Sequence, residues 1–405
     1  MQNYEPKYLV MVTPDNHNKY YKMVPDNVAG VLHIEFGRVG AKPQKHDYPI
    51  GDFDGKYREK VNKGYQDQTY LMKDAIALDV VTSQPEEYKQ IDNIAIATIV
   101  DSLRSMAQDA IKKNYTISSE AVTEAMVNAA QNLLNQLLEI RTVVLFNQTL
   151  QTLFITIPRK MNNVDEFLAK TRDDFEAIIQ REQSLLDVMR GQVIKPIAPI
   201  QNIASTDNRT VLEANGLIFE ECDADDVKII KKALNESADK FSRAWKITNI
   251  ATQEKFDKFV SDNNIQTTKL LFHGSRNENW WSIIKTGLIL RPTNVVITGK
   301  MFGYGTYFAP KAQKSIGYTS LNGSYWAGGR AHVAYMGLMD VAYGTPYDVY
   351  AFDSRFHDFN YNQLQRAKPG ANCLHAHAGN MLRNDEIVIY KEEQCTIKYL
   401  VEIKQ

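Results

Sequence analysis

Along residues 1–70, apolar and polar side chains alternate in short runs: Tyr8-Leu-Val-Met-Val12, Tyr20-Tyr-Lys-Met-Val24 and Val31-Leu-His-Ile-Glu-Phe36. A period of two, broken at Asp15–Asn18 and Pro25–Asn27, predicts antiparallel strands. A helical stretch follows over Phe53–Lys63, with Lys56, Lys60 and Lys63 on one face. From Asp92 to about Val193 the period becomes helical. Ser118 is the expected N-cap, and Glu120 suits the positive end of the helix dipole. Val122, Met126, Leu133 and Leu137 form one apolar stripe; Phe167, Leu168, Phe175, Ile178, Ile179, Leu186 and Met189 form another. Thr152–Pro158 is expected to interrupt the helical pattern, because proline does not fit a helix interior. Pro196, Pro199 and their small polar neighbours make 191–208 a linker. Strand-like runs then return at Gly216–Glu220, Lys269–His273, Tyr335–Val341, Glu386–Tyr390 and Thr396–Ile403. Helices are expected there chiefly at Asp225–Leu234 and Glu278–Thr286. The chain reads as multidomain: a small antiparallel β-rich domain, an all-α helical bundle, and a mostly antiparallel α+β domain.

Bulk properties narrow the function classes. A chain of 405 residues exceeds one ordinary core. With 44% hydrophobic and 23% charged residues it has the composition of a soluble globular protein. A net charge of −1 supplies no overall basic field for nucleic acid, so any such contact needs a local patch. Apolar runs such as Val143–Phe146 and Leu153–Ile157 are too short to span a membrane, and the first residues lack a signal-peptide core. Cys222, Cys373 and Cys395 have no zinc-finger spacing and fit a reducing compartment. Cys373 lies near His375 and His377, which admits a metal reading; a polar loop without a second ligand cluster is the preferred one, so no metal is expected.

Candidate chemistry concentrates in residues 269–318. An apolar run ends in His273-Gly274-Ser275; a Gly303-Tyr-Gly305-Thr-Tyr307 turn follows, then Lys314-Ser315 and Tyr318. Two tyrosines, a serine hydroxyl and a glycine amide can hold a flat carboxamide ring by stacking and paired hydrogen bonds. Nicotinamide is such a ring. Each residue alone has a blander role: a satisfied histidine, packed tyrosines, a solvated strand glutamate. Their joint order and spacing carry the functional reading.

This order resembles the poly(ADP-ribose) polymerase family, and the resemblance covers nearly the whole chain. Asn18-Lys-Tyr-Tyr-Lys-Met and Phe36-Gly37-Arg38-Val39-Gly40 resemble a WGR domain, with phenylalanine where the family name implies tryptophan. Leu153–Pro158 and Ser184–Gly191 resemble the helical regulatory domain. The resemblance implies domains at 1–80 (WGR-like), 90–205 (helical regulatory) and 210–405 (ADP-ribosyltransferase). It assigns the His-Tyr-Glu triad to His273, Tyr307 and Glu386, the last fixed by the match of Asn384–Tyr390 and Ile397–Leu400 to the family's last two strands; Asp385 is the competing assignment. NAD binding falls on His273, Gly274, Ser275, Tyr307, Lys314, Ser315 and Tyr318. In physical terms, Glu386 would stabilise oxocarbenium character at the ribose. His273 would fix a ribose, Ser315 would donate to the carboxamide oxygen, Ser275 would reach the adenine-side ribose, and Lys314 would orient Glu386.

What the resemblance implies further is an NAD-consuming polymerase in the DNA damage response, activated at DNA ends or nicks through Phe36, Arg38, Lys56 and Lys60. Autoinhibition belongs to the same picture: the helical counterpart blocks NAD until DNA binds. Protein acceptors, the enzyme itself among them, would be modified. A monomer is expected when free, with no membrane association, in the nucleus of a eukaryote or the cytoplasm and nucleoid of a prokaryote. A mono-ADP-ribosyltransferase and a silent DNA-end adaptor are the alternatives. The region from Gly344 to Arg383 resembles the family least.

Overall fold

A computed structural model describes residues 3–71, 88–115, 123–191, 209–290, 301–321, 331–379 and 382–405. The chain divides into two compact units, Met1–Pro85 with Gln108–Ile203, and Glu86–Ala107 with Ala204–Gln405.

In the first unit, strands β1 (Lys7–Thr13), β2 (His17–Asp26), β3 (Val31–Arg38), β4 (Gln44–Pro49) and β5 (Gln66–Asp67) form an antiparallel sheet in the order β4-β3-β2-β1-β5. The alternating apolar positions turn one way. Leu9, Tyr21, Met23, Leu32 and Ile34 are buried together and closed over by Phe53 at the start of the helix Phe53–Asn62. β4 was not foreseen, because Gln-Lys-His-Asp-Tyr-Pro lacks an apolar alternation; it is an exposed edge strand, where charged side chains discourage pairing with another chain.

The helices of this unit correct two expectations. Val143–Thr156 is one continuous helix, so Thr152–Thr156 does not interrupt the pattern. Pro158 acts one residue earlier than it stands: it disfavours helical geometry at Ile157, which is extended (φ −126°, ψ 102°), and the helix stops there. Helix Glu124–Glu139 is capped by Thr123, whose side chain accepts from the Met126 amide at 3.2 Å, and Leu134 rather than Leu133 faces the core. Ser118, Glu120, Val122 and residues 192–208 of the expected linker lie outside the described residues. A further helix is Asp174–Arg190; Phe167 and Leu168 precede it, in and just after a 3-10 turn. Within this core Arg159 and Glu182, each about 2% exposed, form an ion pair at 3.3 Å.

The second unit contains β6 (Leu217–Glu221), β7 (Phe241–Asn249), β8 (Lys269–Gly274), β9 (Thr306–Phe308), β10 (Val333–Val341), β11 (Pro346–Val349), β12 (Cys373–Ala376), β13 (Glu386–Ile389) and β14 (Cys395–Lys404). They form an antiparallel sheet in the order β6-β7-β14-β10-β8 and a second sheet in the order β11-β12-β13-β9, in which only the β11–β12 pair is parallel. Central strands β10 and β14 are buried along nearly their whole length; β10 is apolar almost throughout, whereas β14 also buries Thr396 and Glu402. Helix Ala224–Leu234 begins at Asp223, whose carboxylate accepts from the Asp225 and Asp226 amides, and it packs Ile230 and Leu234 against Phe272, Leu338 and Val401. A helix absent from the sequence reading, Ile250–Asp262, starts at Asn249. That buried side chain also donates to the Ile284 and Lys285 carbonyls. This is the α+β, mostly antiparallel architecture expected for residues 210–405.

Candidate functional site

The two sheets of the second unit meet where Phe272 of β8 and Ala309, just past β9, exchange backbone hydrogen bonds of 2.9 and 3.0 Å. His273 is the next residue on β8. Its Nδ1 lies 3.1 Å from the Tyr307 carbonyl, and burial lowers its pKa below the ordinary histidine value. The neutral ring therefore donates Nδ1–H to Tyr307 and presents Nε2 as an acceptor.

Tyr307 is held from both sides of its hydroxyl, which donates to the Gly303 carbonyl at 3.0 Å and accepts from the Phe302 amide at 2.9 Å. Burial first, and the charge of Glu386 with it, raises the pKa of Tyr307 far above the ordinary tyrosine value; the same two causes raise that of Tyr318. Both phenols are neutral at any physiological pH. The Tyr318 side chain is 54% exposed, an open aromatic face.

Glu386 is the first residue of β13, whose neighbour β9 carries Tyr307 opposite Val388. It is 6% exposed, and Lys314 pairs with its Oε1. Its Oε2 is buried and has no hydrogen-bond partner among the described residues. A buried carboxylate oxygen left unpaired costs free energy unless a ligand group meets it. Asp385, the competing candidate, is turned elsewhere: its oxygens accept from the Ala378 amide at 2.7 Å and meet His375 Nε2 at 3.0 Å.

Ser315 lies on the short helix Ala312–Ile316; its hydroxyl donates to the Phe272 carbonyl at 3.2 Å, and its own carbonyl lies against Gly274. A Cβ at residue 274 would sit 2.0 Å from that oxygen, so only glycine fits. Gly303 has φ +71°, and a Cβ there would lie 2.1 Å from the Phe359 carbonyl. Ser275 accepts from Asn279 at 3.0 Å. His273, Gly274, Ser275, Tyr307, Lys314, Ser315, Tyr318 and Glu386 thus belong to one neighbourhood of β8, β9, β13 and the turn after β9. The sequence reading missed Tyr390, whose hydroxyl donates to the Phe302 carbonyl at 2.8 Å and braces the loop that positions Tyr307. As one tyrosine among 21 it gave no signal.

Of the candidates in the first unit, Phe36 stacks on His46 with ring centroids 5.5 Å apart. Lys56 Nζ lies 4.0 Å from the Tyr48 ring and Lys60 Nζ 4.5 Å from the Tyr21 ring. Arg38 is engaged otherwise. Its guanidinium donates to Asn16 O, Asn16 Oδ1, Met161 O and Asn162 O at 2.6–3.2 Å, which ties β3 to the segment after the helix Val143–Thr156. A phosphate would have to displace those carbonyls.

The fold and this neighbourhood define an ADP-ribosyltransferase class of site, and comparisons with known proteins extend it. The poly(ADP-ribose) polymerase catalytic domain model matches residues 224–405. A poly(ADP-ribose) polymerase-like protein of Invertebrate iridescent virus 6 is 32% identical over 188 residues, which is 46% of this chain and 97% of that protein. An uncharacterized protein of the same virus is 28% identical over 234 residues, 56% of this chain and 94% of that protein. Poly(ADP-ribose) polymerase 2 of Zea mays is 24% identical over 353 residues, spanning 75% of this chain and 53% of the maize protein. The chain belongs to the poly(ADP-ribose) polymerase family; it is an ADP-ribosyltransferase that takes NAD as substrate. No helix among the described residues is long and apolar enough to cross a membrane.

Proposed function

We propose that this enzyme is a poly(ADP-ribose) polymerase stimulated by DNA ends or nicks, which transfers ADP-ribose to protein acceptors, itself included, with His273, Tyr307 and Glu386 at its centre. The observation that carries the catalytic part is the state of Glu386: one oxygen held by Lys314, the other buried and, among the described residues, unpaired. In this reading Oε2 takes the ribose 2′-hydroxyl and faces the positive charge that develops as the nicotinamide bond breaks. For elongation the same carboxylate activates the hydroxyl of an incoming ADP-ribose. His273 Nε2 accepts from a ribose hydroxyl, and Tyr307 and Tyr318 flank the ring, with Gly274 and Ser315 supplying the carboxamide contacts.

The regulatory part rests mainly on the first unit, although residues 90–107 of its helical stretch fall in the second. Residues 1–80 act as the WGR-like sensor and 90–205 as the helical regulatory domain, with transfer carried by 210–405. Support comes from the aromatic group Tyr21, Phe36, His46 and Tyr48, rimmed by Lys56 and Lys60. Aromatic faces stack on exposed bases or sugars, while lysines meet phosphates. DNA activates because it favours a conformation in which the regulatory helices no longer restrict NAD.

Incubation of the full chain with labelled NAD, with and without nicked DNA, resolved on a gel, tests both parts. A DNA-dependent ladder on the enzyme is expected. A single shifted band would make it a mono-ADP-ribosyltransferase, and equal activity without DNA would remove the sensor role.

A further inference from the structure

Beside the strand that carries Glu386 lies a second cluster, outside the groups that the transfer reaction uses. His375 and His377, two residues apart, share one face of the β12 run, and their rings stack with centroids 4.0 Å apart. The parallel strand β11 sets Asp348 directly across from His375. Asp348 Oδ1 lies 2.8 Å from His377 Nε2 and 4.0 Å from His375 Nδ1. One donor atom from each of the three side chains falls within 4.8 Å of the others.

What lies behind His375 gives the cluster its character. The second nitrogen of that ring, Nε2, meets Asp385 Oδ2 at 3.0 Å, and Asp385 is fixed in turn by the Ala378 amide. A neutral imidazole that donates its Nε2 proton to a carboxylate presents Nδ1 as a lone pair. This is the outer arrangement that orients metal-binding histidines and raises their basicity. Here Nδ1 faces the open side of the cluster, 2.8 Å from the Tyr343 hydroxyl. The side chains are 12%, 25% and 37% exposed for His375, His377 and Asp348, so the innermost ligand is fixed and the outermost is reachable from solvent. Cys373 is not part of the set, because its buried thiol donates to the Tyr343 carbonyl.

We propose that Asp348, His375 and His377 bind one first-row divalent transition metal, with Asp385 as the outer partner of His375 and a water or the Tyr343 hydroxyl completing the shell. Two imidazoles and one carboxylate match Zn²⁺, whereas Mg²⁺ and Ca²⁺ demand oxygen donors throughout. The ion would act on the reaction from outside. Ala376 of β12 pairs with Glu386 of β13, and Asp385 immediately precedes Glu386, so a bound metal clamps the strand end from which the catalytic carboxylate projects.

The test is direct binding to the full chain, stripped of metal with a chelator and then titrated with Zn²⁺ against a chromophoric competitor. Co²⁺ serves as a spectroscopic stand-in. One equivalent of Zn²⁺ is expected, with the visible absorption of four-coordinate Co²⁺ and a higher melting temperature. His377→Ala should remove binding, and Asp385→Asn should weaken it about tenfold to a hundredfold, the range for lost outer-shell partners. His357→Ala, at an exposed histidine of the same unit, should leave it unchanged. Absence of stoichiometric binding, or equal affinity in wild type and His377→Ala at matched circular dichroism, overturns the proposal. Both readouts are independent of NAD turnover, so they stand apart from the outcome of the transferase assay.

Discussion

Lys314 grips one oxygen of Glu386 and leaves the other buried, without a partner among the described residues. An ammonium on the far side fixes the rotamer and the charge of the carboxylate, while the unpaired oxygen remains available to a ligand. The arrangement stores a desolvation cost in the free enzyme that substrate can relieve.

Glu386→Gln keeps the shape and removes the charge. ADP-ribose transfer should fall by on the order of a hundredfold or more, the scale for a positioned electrostatic group, with little change in NAD affinity. Asp385→Asn should be much the milder change, because that side chain serves His375 and Ala378. Steady-state kinetics of the two variants decide it; the reverse ranking would place the catalytic carboxylate at 385.

His273 sets a pH dependence whose sign follows from burial. Its folded pKa is depressed, so below about pH 6.5, the ordinary histidine value, the unfolded chain takes up the proton first. Stability contributed by the neutral ring is complete above that pH and declines as pH falls toward the folded pKa. Thermal unfolding of the full chain from pH 7.5 down to pH 5.5 should show a falling midpoint, and His273→Gln should flatten that slope. The KM for NAD should stay level while the folded ring remains neutral, and should rise only at lower pH, where Nε2 loses its lone pair. A flat wild-type unfolding profile would contradict a buried neutral imidazole.

Tyr318 offers a half-exposed ring. Benzamide, a carboxamide on a flat ring, should compete with NAD, and Tyr318→Ala should weaken that inhibition by roughly 1–3 kcal/mol, the range for a lost aromatic stack on a planar base. An unchanged inhibition constant would take Tyr318 out of the pocket.

Arg38 makes its bonds inside the protein, so its removal should first be felt as stability. Arg38→Ala should cost roughly 1.5–3 kcal/mol, typical of hydrogen bonds to a charged group, and Arg38→Lys should not restore it, because an ammonium lacks the planar fork. Denaturant unfolding provides the measure. A wild-type transition midpoint in Arg38→Ala would show that these carbonyl contacts carry no net energy.

Phe36 separates the sensor role from folding. Phe36→Ala should raise the concentration of nicked DNA needed for half-maximal stimulation, and Phe36→Trp should lower it by restoring an indole N–H donor. DNA-free activity should be equal in both. Stimulation curves that coincide for all three proteins would move the DNA contact elsewhere.

The legible parts of this chain were those where one physical signal dominates. Alternation revealed β1, β2 and β3, and the His-Gly-Ser and Gly-Tyr-Gly turns brought the candidate site together in one stretch of sequence. Elements whose identity depends on neighbours were not legible. β4 is polar because it is an edge, and Ile250–Asp262 presents only a narrow apolar stripe, Phe256 and Phe259. The interruption expected at Thr152–Pro158 does not occur as read, because a helix buried on most sides loses its polar face and with it the helical period. Arg38 could not be assigned from sequence, since its carbonyl partners Met161 and Asn162 lie more than a hundred residues away in the chain. The cluster of Asp348, His375 and His377 was hidden for the same reason: Cys373 stood next to the histidines in sequence, while the aspartate came from another strand.

Gly274 is hemmed in by the Ser315 carbonyl and Gly303 by that of Phe359. Main chain therefore packs directly on main chain at both points of the candidate site, and its hydrogen-bonding atoms are the same whatever residue is encoded. Resistance to an inhibitor that grips those atoms cannot arise by deleting a contact side chain. It has to come from changes that shift the main chain itself, and both glycines are positions where any replacement collides. Selection for resistant variants should then yield substitutions at Tyr318 and in the surrounding turn, seldom at 274 or 303, and an inhibitor that dispenses with the tyrosine should be the harder one to escape.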